Sequence, residues 1–558
     1  MFVVVKKSKT SARQLVYIVE SYRDENQKIR QRIIKKCGEL SELQAQDPDV
    51  LDHLKEEAKR MTKESSSKEV ELTINLSQPN SKSSPLVGYG HMFVESLYES
   101  LRIQKFIDRR IEDPKLAKKI GDTLEYFVVR EFFVPLTSRK AGEGTEPLFP
   151  KFEKGTVPTL DTIGLIDRYT PDLMKHVYKI ANKGHECSDK VASLDITSYH
   201  FNAVSKGKSR KRRTDATAMS EMILVQVGVL FDRYRNPVGY VLFPEGFSDT
   251  ETLIGAINRL KKKFGFNRIV ITSDRGFGSN ATLASLHKSG NGYVVGRKVK
   301  NSPVEFQEAI LDESGYKWNE SGTFKFKTFR TERIVGDVVI PEKVISMWTS
   351  NNAAKMRQRR DKNIIDYLSQ PNEFEFGKSK ELDQYVKIHD TTETPYEKTD
   401  HNYFSFDAES YKRDMALDGY YALATTEMGI PESVIIRRYH NLQKINKAFS
   451  APDPDVEGAP SNFWSNSDVQ SYFLVKYLAM VIQRKLEHLL GGKYSYDEMR
   501  DALEEATCKN IGQDIYAFTK QTEVFHDIED AFGVEFDNSF ATLEMIRKYR
   551  KSVINALG

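Results

Sequence analysis

The first 85 residues alternate short apolar runs with polar connections. Three of these runs have the β-branched, alternating character of strands, at 2–5, 14–20 and 30–36. A charged helix is predicted at about 49–63, and the Ser- and Pro-containing stretch at 77–85 is typical of a linker. The pattern therefore predicts an N-terminal β/helix segment over residues 1–76.

Residues 86–185 have the periodicity of amphipathic helices. Apolar residues recur at helical spacing through Met92, Leu97 and Leu101, and again through Ile120 and Leu124. Small helical domains of this kind dock on DNA or on a second subunit, and they serve at least as often as scaffolding. A helical DNA-binding or dimerisation domain is the prediction, with a purely structural role as the alternative.

Long apolar strands begin at about residue 190. Strands are predicted at 192–201, 221–231 and 238–243, followed by a helix at about 249–264 and a short buried strand at 268–273. Three neighbouring strands, a helix and a fourth strand resemble the first half of an RNase H-like sheet. We therefore assign residues 190–298 to the first half of an α/β core.

The alternation of strands and helices is interrupted over residues 299–415. This segment is charged and rich in turns, with a strand-like piece at 323–329 and a charged helix at about 352–368. Its composition favours a β-rich insertion domain within the core.

The α/β pattern resumes with a strand at 418–426 and a helix from about Pro431. The second half of the core is predicted at 416–500, where the clearest apolar helix of the chain lies near 467–490. Helical pieces follow over 501–558, which predicts a helical C-terminus.

Composition narrows the class of protein only moderately. The 558 residues exceed what one hydrophobic core can hold, and 39% hydrophobic with 29% charged residues is typical of a soluble globular protein. A net charge of +4 neither requires nor excludes a nucleic-acid partner. Cys37, Cys187 and Cys508 lack metal-binding spacing, so we expect inert thiols in a reducing cytoplasm. No apolar run is long enough to predict a membrane span or a secretory signal.

Two aspartates lie on or just past predicted apolar strands. Asp195 falls within the strand at 192–201, and Asp274 directly follows the strand at 268–273. Carboxylates from neighbouring strands can converge on Mg²⁺ or Mn²⁺, and two such ions can stabilise both the attacking and the leaving oxygen of a phosphodiester. Aspartates at strand ends are also common as caps and salt-bridge partners, so the spacing alone leaves both roles open.

The residues around these aspartates resemble a known family. Leu194-Asp195-Ile196-Thr197 is similar to the first catalytic strand of the insertion-sequence DDE transposases of the family-four type, which have an RNase H-like core with a β-rich insertion. Three further stretches resemble the hairpin and loop after that strand and the strand after the insertion: 236–240, 246–250 and 418–421. Ser273-Asp274-Arg275-Gly276 resembles the second catalytic motif. The resemblance spans roughly residues 1–500.

The resemblance also implies a third catalytic residue, a glutamate on the helix after the last core strand. With Tyr439 at the family's tyrosine position, the glutamate position is occupied by Asn446. An asparagine offers one carbonyl oxygen, carries no charge and cannot act as a base. Other carboxylates could substitute for the missing glutamate, and they are Glu432, Asp453, Asp455 and Glu457.

The family implies double-stranded DNA at transposon ends as the partner, together with a homodimer and a bacterial, nucleoid-associated cytoplasmic location. Arg275 and Tyr439 are implied DNA contacts. The segment 206–213 adds six basic residues that can neutralise phosphates or form a solvated loop: Lys206, Lys208, Arg210, Lys211, Arg212 and Arg213. Three functions remain open, namely an active transposase, a non-catalytic DNA-binding regulator or architectural subunit, and a nuclease with a rearranged site.

Overall fold

The computed structural model describes residues 2–7, 14–23, 29–65, 84–134, 145–152, 158–183, 190–202, 222–243, 250–273, 279–300, 302–369, 385–389, 403–448, 466–512, 514–519, 521–536 and 538–558. Contacts between Cα atoms divide the chain into two compact units, Met1–Ser83 and Ser84–Gly558. No helix among these ranges has the length and apolar character needed to cross a membrane.

The first unit is a three-stranded antiparallel sheet followed by two helices. Its elements are β1 (Phe2–Lys7), β2 (Gln14–Arg23), β3 (Ile29–Glu39), α1 (Leu40–Gln46) and α2 (Val50–Ser65). The strands pair in the order β1-β2-β3, and Val16 and Ile18 on the central strand are fully buried. The predicted strands and helix of this segment are confirmed.

The second unit begins with a short strand and a group of helices. The elements are β4 (Leu86–Gly88), α3 (His91–Ser100), α4 (Ile103–Asp108), α5 (Pro114–Phe133), α6 (Asp161–Gly164) and α7 (Thr170–Ala181). Helix α5 begins where Asp113 accepts a hydrogen bond from the Lys115 amide and Pro114 takes the first helical position. Its buried face carries Leu124 and Val128, in agreement with the predicted periodicity.

The predicted core strands and helix follow, together with one further helix and one further strand that the sequence pattern does not predict. They are β5 (Val191–Asn202), β6 (Met222–Phe231), β7 (Pro237–Phe243), α8 (Thr250–Phe264), β8 (Arg268–Ser273), α9 (Asn280–Lys288) and β9 (Gly292–Arg297). The next elements are α10 (Val304–Leu311), β10 (Lys317–Trp318), β11 (Phe324–Val335), β12 (Val338–Thr349), α11 (Ser350–Ser369), β13 (Val386–His389), β14 (Tyr403–Phe406) and α12 (Ala408–Ala416). The last elements are β15 (Tyr420–Thr425), α13 (Glu432–Ala448), α14 (Asn466–Leu489), α15 (Tyr496–Glu505), β16 (Thr507–Gly512), β17 (Ile515–Phe518), α16 (Glu523–Phe532), β18 (Phe540–Thr542) and α17 (Leu543–Asn555).

Nine of the described strands form one large mixed sheet. Their order is β10-β11-β12-β15-β9-β8-β5-β6-β7. Strand β5 is parallel to β8 and β8 is parallel to β9, whereas every other neighbouring pair is antiparallel. The protein is therefore a mixed α/β structure in which β5, the first strand of the sheet along the chain, lies between β8 and β6.

Part of the segment predicted as an insertion is continuous with this sheet. The long hairpin of β11 and β12 joins the core strands because β12 pairs with β15, with Lys343 opposite Thr425. The buried carboxylate of Glu342 on β12 ties the hairpin to β9, since it accepts hydrogen bonds from Tyr293 and Arg297 as well as from Arg333 of β11. The boundaries 299–415 remain a prediction.

The C-terminus agrees with the prediction in part. Helices α16 and α17 lie within residues 501–558 as predicted, but β16, β17 and β18 of the same segment form a four-stranded sheet with β4 in the order β18-β17-β16-β4. Strands of three to six residues are too short to show a clear period, and β4 lies more than 400 residues earlier in the chain. Pairing at that separation cannot be read from the local pattern.

Helix α14 is the central support of the second unit. It was predicted to bury one widened face, but Tyr472, Phe473, Leu474 and Val475 are all fully buried, so the helix is covered on every side here. The Tyr477 hydroxyl donates to the Val238 carbonyl on β7 at 3.1 Å. Helix α14 therefore packs directly against the large sheet as well as against the helices of the same unit.

Candidate active site beside Asp195

Asp195 lies on a strand of the large sheet that is paired on both sides, and it is completely buried. On β5 it is opposite Val229 of β6 and Thr272 of β8. Its chain neighbours Leu194 and Ile196 point to the opposite face, where they join an apolar cluster with α8 and α9. The face that carries Asp195 is covered by α13, which contacts β5, β8 and β9.

The carboxylate of Asp195 is held by an arginine that no sequence motif predicts. The Arg235 guanidinium donates from Nη2 to Asp195 Oδ2 at 2.7 Å and from Nη1 to Ser193 Oγ at 3.1 Å. The same guanidinium lies 4.1 Å from the centroid of the Phe231 ring. Asp195 thus has the salt-bridge role that was the open alternative, and one of its oxygens is engaged by it.

A tight turn directs Arg235 towards Asp195. The Asp232 carboxylate accepts hydrogen bonds from the backbone and side-chain amides of Asn236, at 2.8 and 3.0 Å. Arg235 has φ +66°, a left-handed conformation that is uncommon outside glycine. The sequence signal for this turn is Asn236-Pro237 between two apolar strands, which predicts a turn but not the direction of the side chains that precede it.

The second oxygen of Asp195 has no hydrogen-bond partner among the described residues. Asp195 Oδ1 and the hydroxyl of Thr272, the residue opposite it on β8, are both buried and unpartnered there. Burying an unpaired carboxylate oxygen is costly, and it is expected only where a cation, a water or another donor completes the site. This pair of polar atoms therefore fits a small ligand with positive charge or hydrogen-bond donors.

Helix α13 brings a second guanidinium to the same face. Burial lowers the pKa of Arg438, the positive charge of Arg235 lowers it further, and Glu427 and Asp195 act in the opposite direction. Arg268 pairs with Glu427 through both of its terminal nitrogens, one of them at 2.9 Å from Oε2. The surroundings of Asp195 are therefore richer in arginine than the sequence pattern indicated.

Two of the predicted site residues lie on α13. Tyr439 is half-buried and packs against the apolar cluster formed by Val270, Val294 and Ile435. Asn446 follows it by seven residues, which is about two helical turns, so the two Cα positions share one side of the helix. The side chain of Asn446 lies outside the described residues.

The other predicted site residues also lie outside the described ranges. Asp274 and Arg275 come directly after Ser273, where β8 ends. The whole basic segment 206–213 also lies outside the described residues, and so do the competing acids Asp453, Asp455 and Glu457. Across the ranges that are described, no group of three His, Cys, Asp or Glu side chains could hold a metal ion.

Glu432, one of the competing acids, lies at the opposite end of α13 from Asn446. It is in the first turn of the helix, 3.9 Å from Lys343 Nζ. At 1.5 Å per residue it is about 21 Å from the position of Asn446 along the same helix.

Comparison with known proteins identifies the N-terminal segment. Residues 3–71 match the family model described as IS1634 family transposase, N-terminal domain. The search of curated proteins gave no match. Among solved structures, the cryo-EM structure of the piggyBac transposase synaptic complex with hairpin DNA is similar, with 9% identity over 85% of this chain and 88% of that chain and a TM-score of 0.31. A superposition this loose supports no residue correspondence. The N-terminal segment is therefore similar to the N-terminal domain of an insertion-sequence transposase family.

Proposed function

We propose that this chain binds transposon-end DNA through an RNase H-like core and processes its strands with Mg²⁺ or Mn²⁺ at a weakened catalytic centre. The strand order supports the core assignment. Strands β5, β6 and β7 are consecutive and antiparallel, and β8 and β9 continue on the other side of β5 in parallel with it. The finding that carries the proposal is the fully buried Asp195 carboxylate, with one oxygen unpartnered among the described residues, on the face covered by α13.

The metal would be held by Asp195, Asp274 and the residue at position 446. The described part of this set fits in one respect, because the open oxygen of Asp195 and the Thr272 hydroxyl are buried without partners in the described chain. When bound, divalent ions polarise the phosphodiester and stabilise its attacking and leaving oxygens. Within the protein, Arg235 orients Asp195, and α13 excludes water from the face behind it.

Asn446 is the reason for expecting a weak centre. Its side chain can supply one neutral oxygen where the family has a carboxylate, so one negative charge opposing the metal is lost. Each 1.36 kcal/mol lost from transition-state stabilisation slows a reaction tenfold. Cleavage and strand transfer should therefore be slow even where DNA binding is retained.

A cleavage assay tests the proposal directly. Purified protein is incubated with labelled DNA from the ends of its own element and with Mg²⁺ or Mn²⁺. We expect slow cleavage that is lost in Asp195→Ala and accelerated in Asn446→Glu. His440→Glu is the matched control, because it adds a carboxylate at an exposed position of the same helix. Equal acceleration by both glutamates would contradict the assignment of position 446.

A non-catalytic DNA-binding regulator is the second candidate, and one observation favours it. The guanidinium of Arg235 already neutralises Asp195, as a metal ion would in an active enzyme. Specific end binding without cleavage, in the wild type and in Asn446→Glu alike, would select this candidate. No binding to element ends would exclude both.

The basic segment 206–213 is proposed to contact the DNA backbone. If these residues neutralise six phosphates, the logarithm of the DNA-binding constant should fall with the logarithm of the salt concentration with a slope about 5 units steeper than without them. Replacing all six basic residues by glutamine should flatten the slope by that amount, as measured by fluorescence anisotropy. Replacing Lys261 and Lys262 of α8 serves as the control, and an unchanged slope in the six-residue variant would refute the contact.

A homodimer is proposed as well, since joining two transposon ends calls for two copies of the chain. Sedimentation of the protein with and without paired end DNA would test this directly. A single copy bound per pair of ends would contradict it.

A further inference from the structure

A cavity of about 360 Å³ lies beside Asp195. Its walls come from the first residues of β5, from the turn between β6 and β7, from β8 and from the first turns of α13. Four arginines and two carboxylates supply its charged groups: Arg233, Arg235, Arg268, Arg438, Asp232 and Glu427. Neither the expected metal site nor the basic segment 206–213 accounts for this concentration of arginine.

The carboxylates around the cavity are already engaged. Glu427 accepts two hydrogen bonds from Arg268. Asp232 accepts from the Tyr178 hydroxyl at 3.1 Å and holds the turn through Asn236. Asp195, behind the wall, accepts from Arg235. Among these contacts, Asp195 pairs with Arg235 and Glu427 pairs with Arg268.

Arg438 is the group left over. No hydrogen bond or ion pair links its guanidinium to any residue in the described ranges, although the side chain is half-buried. Burial is the main cause of the lowered pKa of Arg438, and the positive charge of the nearby Arg235 lowers it further. A partly desolvated cation next to a second cation is unfavourable unless an anion lies between them.

We propose that this cavity binds a phosphate group, with Arg438 as its principal donor and Arg235 as its second. Guanidinium groups form paired hydrogen bonds with phosphate oxygens, and a tetrahedral phosphate can accept from guanidiniums that approach from different elements. The start of α13 lies in the same wall, and its backbone amides add favourable positive potential. The volume leaves room for a substituent on the phosphate.

The phosphate has two possible sources with the same chemistry. One is a free phosphate or a mononucleotide. The other is the backbone of bound DNA, and this form of the inference rests on the proposed function. In both cases the ligand would share Arg235 with Asp195, so the site is distinct from the metal position but adjacent to it.

Calorimetric titration of the full chain with inorganic phosphate and with a deoxynucleoside monophosphate tests the first source, and anisotropy with end DNA tests the second. Arg438→Gln should weaken binding at least about tenfold, because a charge-assisted pair is lost. Arg437→Gln is the matched control, since this neighbouring arginine of α13 is exposed. If Arg438→Gln loses affinity for inorganic phosphate, the mononucleotide and DNA, the ligand is a free phosphate or mononucleotide. If it loses affinity for DNA alone, the ligand is the phosphate backbone of DNA.

Equal weakening by both variants, or weakening by neither, would overturn the proposal. If Arg438→Gln does not fold, protection of Arg438 from phenylglyoxal by phosphate in the wild-type protein replaces it, and the absence of protection by phosphate and by DNA is the negative result. Asp274→Ala separates this inference from the proposed function, because Asp274 is an expected metal ligand. It should abolish cleavage and leave phosphate binding intact.

Discussion

Asp195 on β5 and Glu342 on β12 are two fully buried carboxylates of the same sheet with opposite surroundings. Glu342 is saturated, because Oε1 accepts from the Tyr293 hydroxyl at 2.6 Å and from Arg333 Nε at 2.7 Å, and Oε2 accepts from Arg297 at 3.2 Å. Asp195 has one arginine on one oxygen and no described partner on the other. A buried carboxylate that only stabilises the fold is expected to have hydrogen-bond donors on both oxygens. A buried carboxylate that binds a ligand is expected to keep one oxygen without a donor from the protein.

The largest expected effect is on stability, at the saturated carboxylate. Glu342→Ala would leave two half-buried guanidiniums, those of Arg297 and Arg333, without their anion, and we expect a loss of about 3–5 kcal/mol. Asp195→Ala should cost about 1 kcal/mol, because only one half-buried guanidinium, that of Arg235, loses its anion. Urea unfolding of the full chain, followed by circular dichroism, measures both. Equal losses would refute the distinction.

A buried histidine provides an uncharged contrast to both carboxylates. Burial lowers the pKa of His91 to about 4, and its ring lies 4.2 Å from that of Phe133. In the unfolded chain this imidazole is protonated as the pH falls through 6.5, whereas in the folded chain it is protonated only near pH 4. The free energy of unfolding therefore decreases as the pH falls from 6.5 to about 4. The ring lines a cavity that water can enter, and we expect about 2 kcal/mol rather than the full shift.

The comparison of His91→Phe with the wild type isolates this effect. The difference in the free energy of unfolding between pH 6.5 and pH 4 should shrink by that amount in the variant. His440→Gln, at an exposed position, should leave it unchanged. A parallel pH dependence in the wild type and His91→Phe would contradict the assignment.

Tyr293→Phe tests how far Glu342 depends on each donor. The variant removes one hydrogen bond to a buried charge but leaves Arg333 on the same oxygen, so we expect a loss of about 1.5 kcal/mol. The urea midpoint measures it against Glu342→Ala. A loss as large as that of Glu342→Ala would mean that the tyrosine, and not the arginine pair, stabilises the carboxylate.

The smallest expected effect concerns ligand binding near Asp195. Asn446→Glu should strengthen Mn²⁺ binding about tenfold, as read by electron paramagnetic resonance of free Mn²⁺, because a carboxylate replaces a neutral oxygen. Asp195→Ala should remove most binding in both backgrounds. Unchanged affinity in Asn446→Glu would place residue 446 away from the metal.

For Asp195, the sequence predicted the elements of the site that depend on the local hydrophobic pattern. The strand around Asp195, the short strand before Asp274 and the helix carrying Asn446 lie where alternation and apolar runs predicted them. The contact of Arg235 with Asp195 was not predicted, because it depends on the left-handed backbone conformation of Arg235 in a turn. Glu342 lies in a charged segment in which no pattern separates a buried glutamate from its exposed neighbours.

Long-range pairing was the second obstacle. The pattern over 501–558 predicts only helical pieces, and β16 pairs with β4, which lies more than 400 residues earlier in the chain. The hairpin of β11 and β12 was assigned to a separate insertion domain, and its pairing with β15 can be seen only in the folded sheet. The hydrophobic periodicity of a helix or strand indicates which of its faces is buried, but not which other elements pack or pair with it.

The position of β15 between β9 and β12 has a consequence for synthesis on the ribosome. Strand β9 is made first, and its partner emerges roughly 120 residues later, which at ordinary elongation rates is a delay on the order of ten seconds. During that interval the apolar edge of β9 has no strand to pair with. A chain that stops before Tyr420 would keep this edge open permanently, as a template for aggregation with other nascent chains.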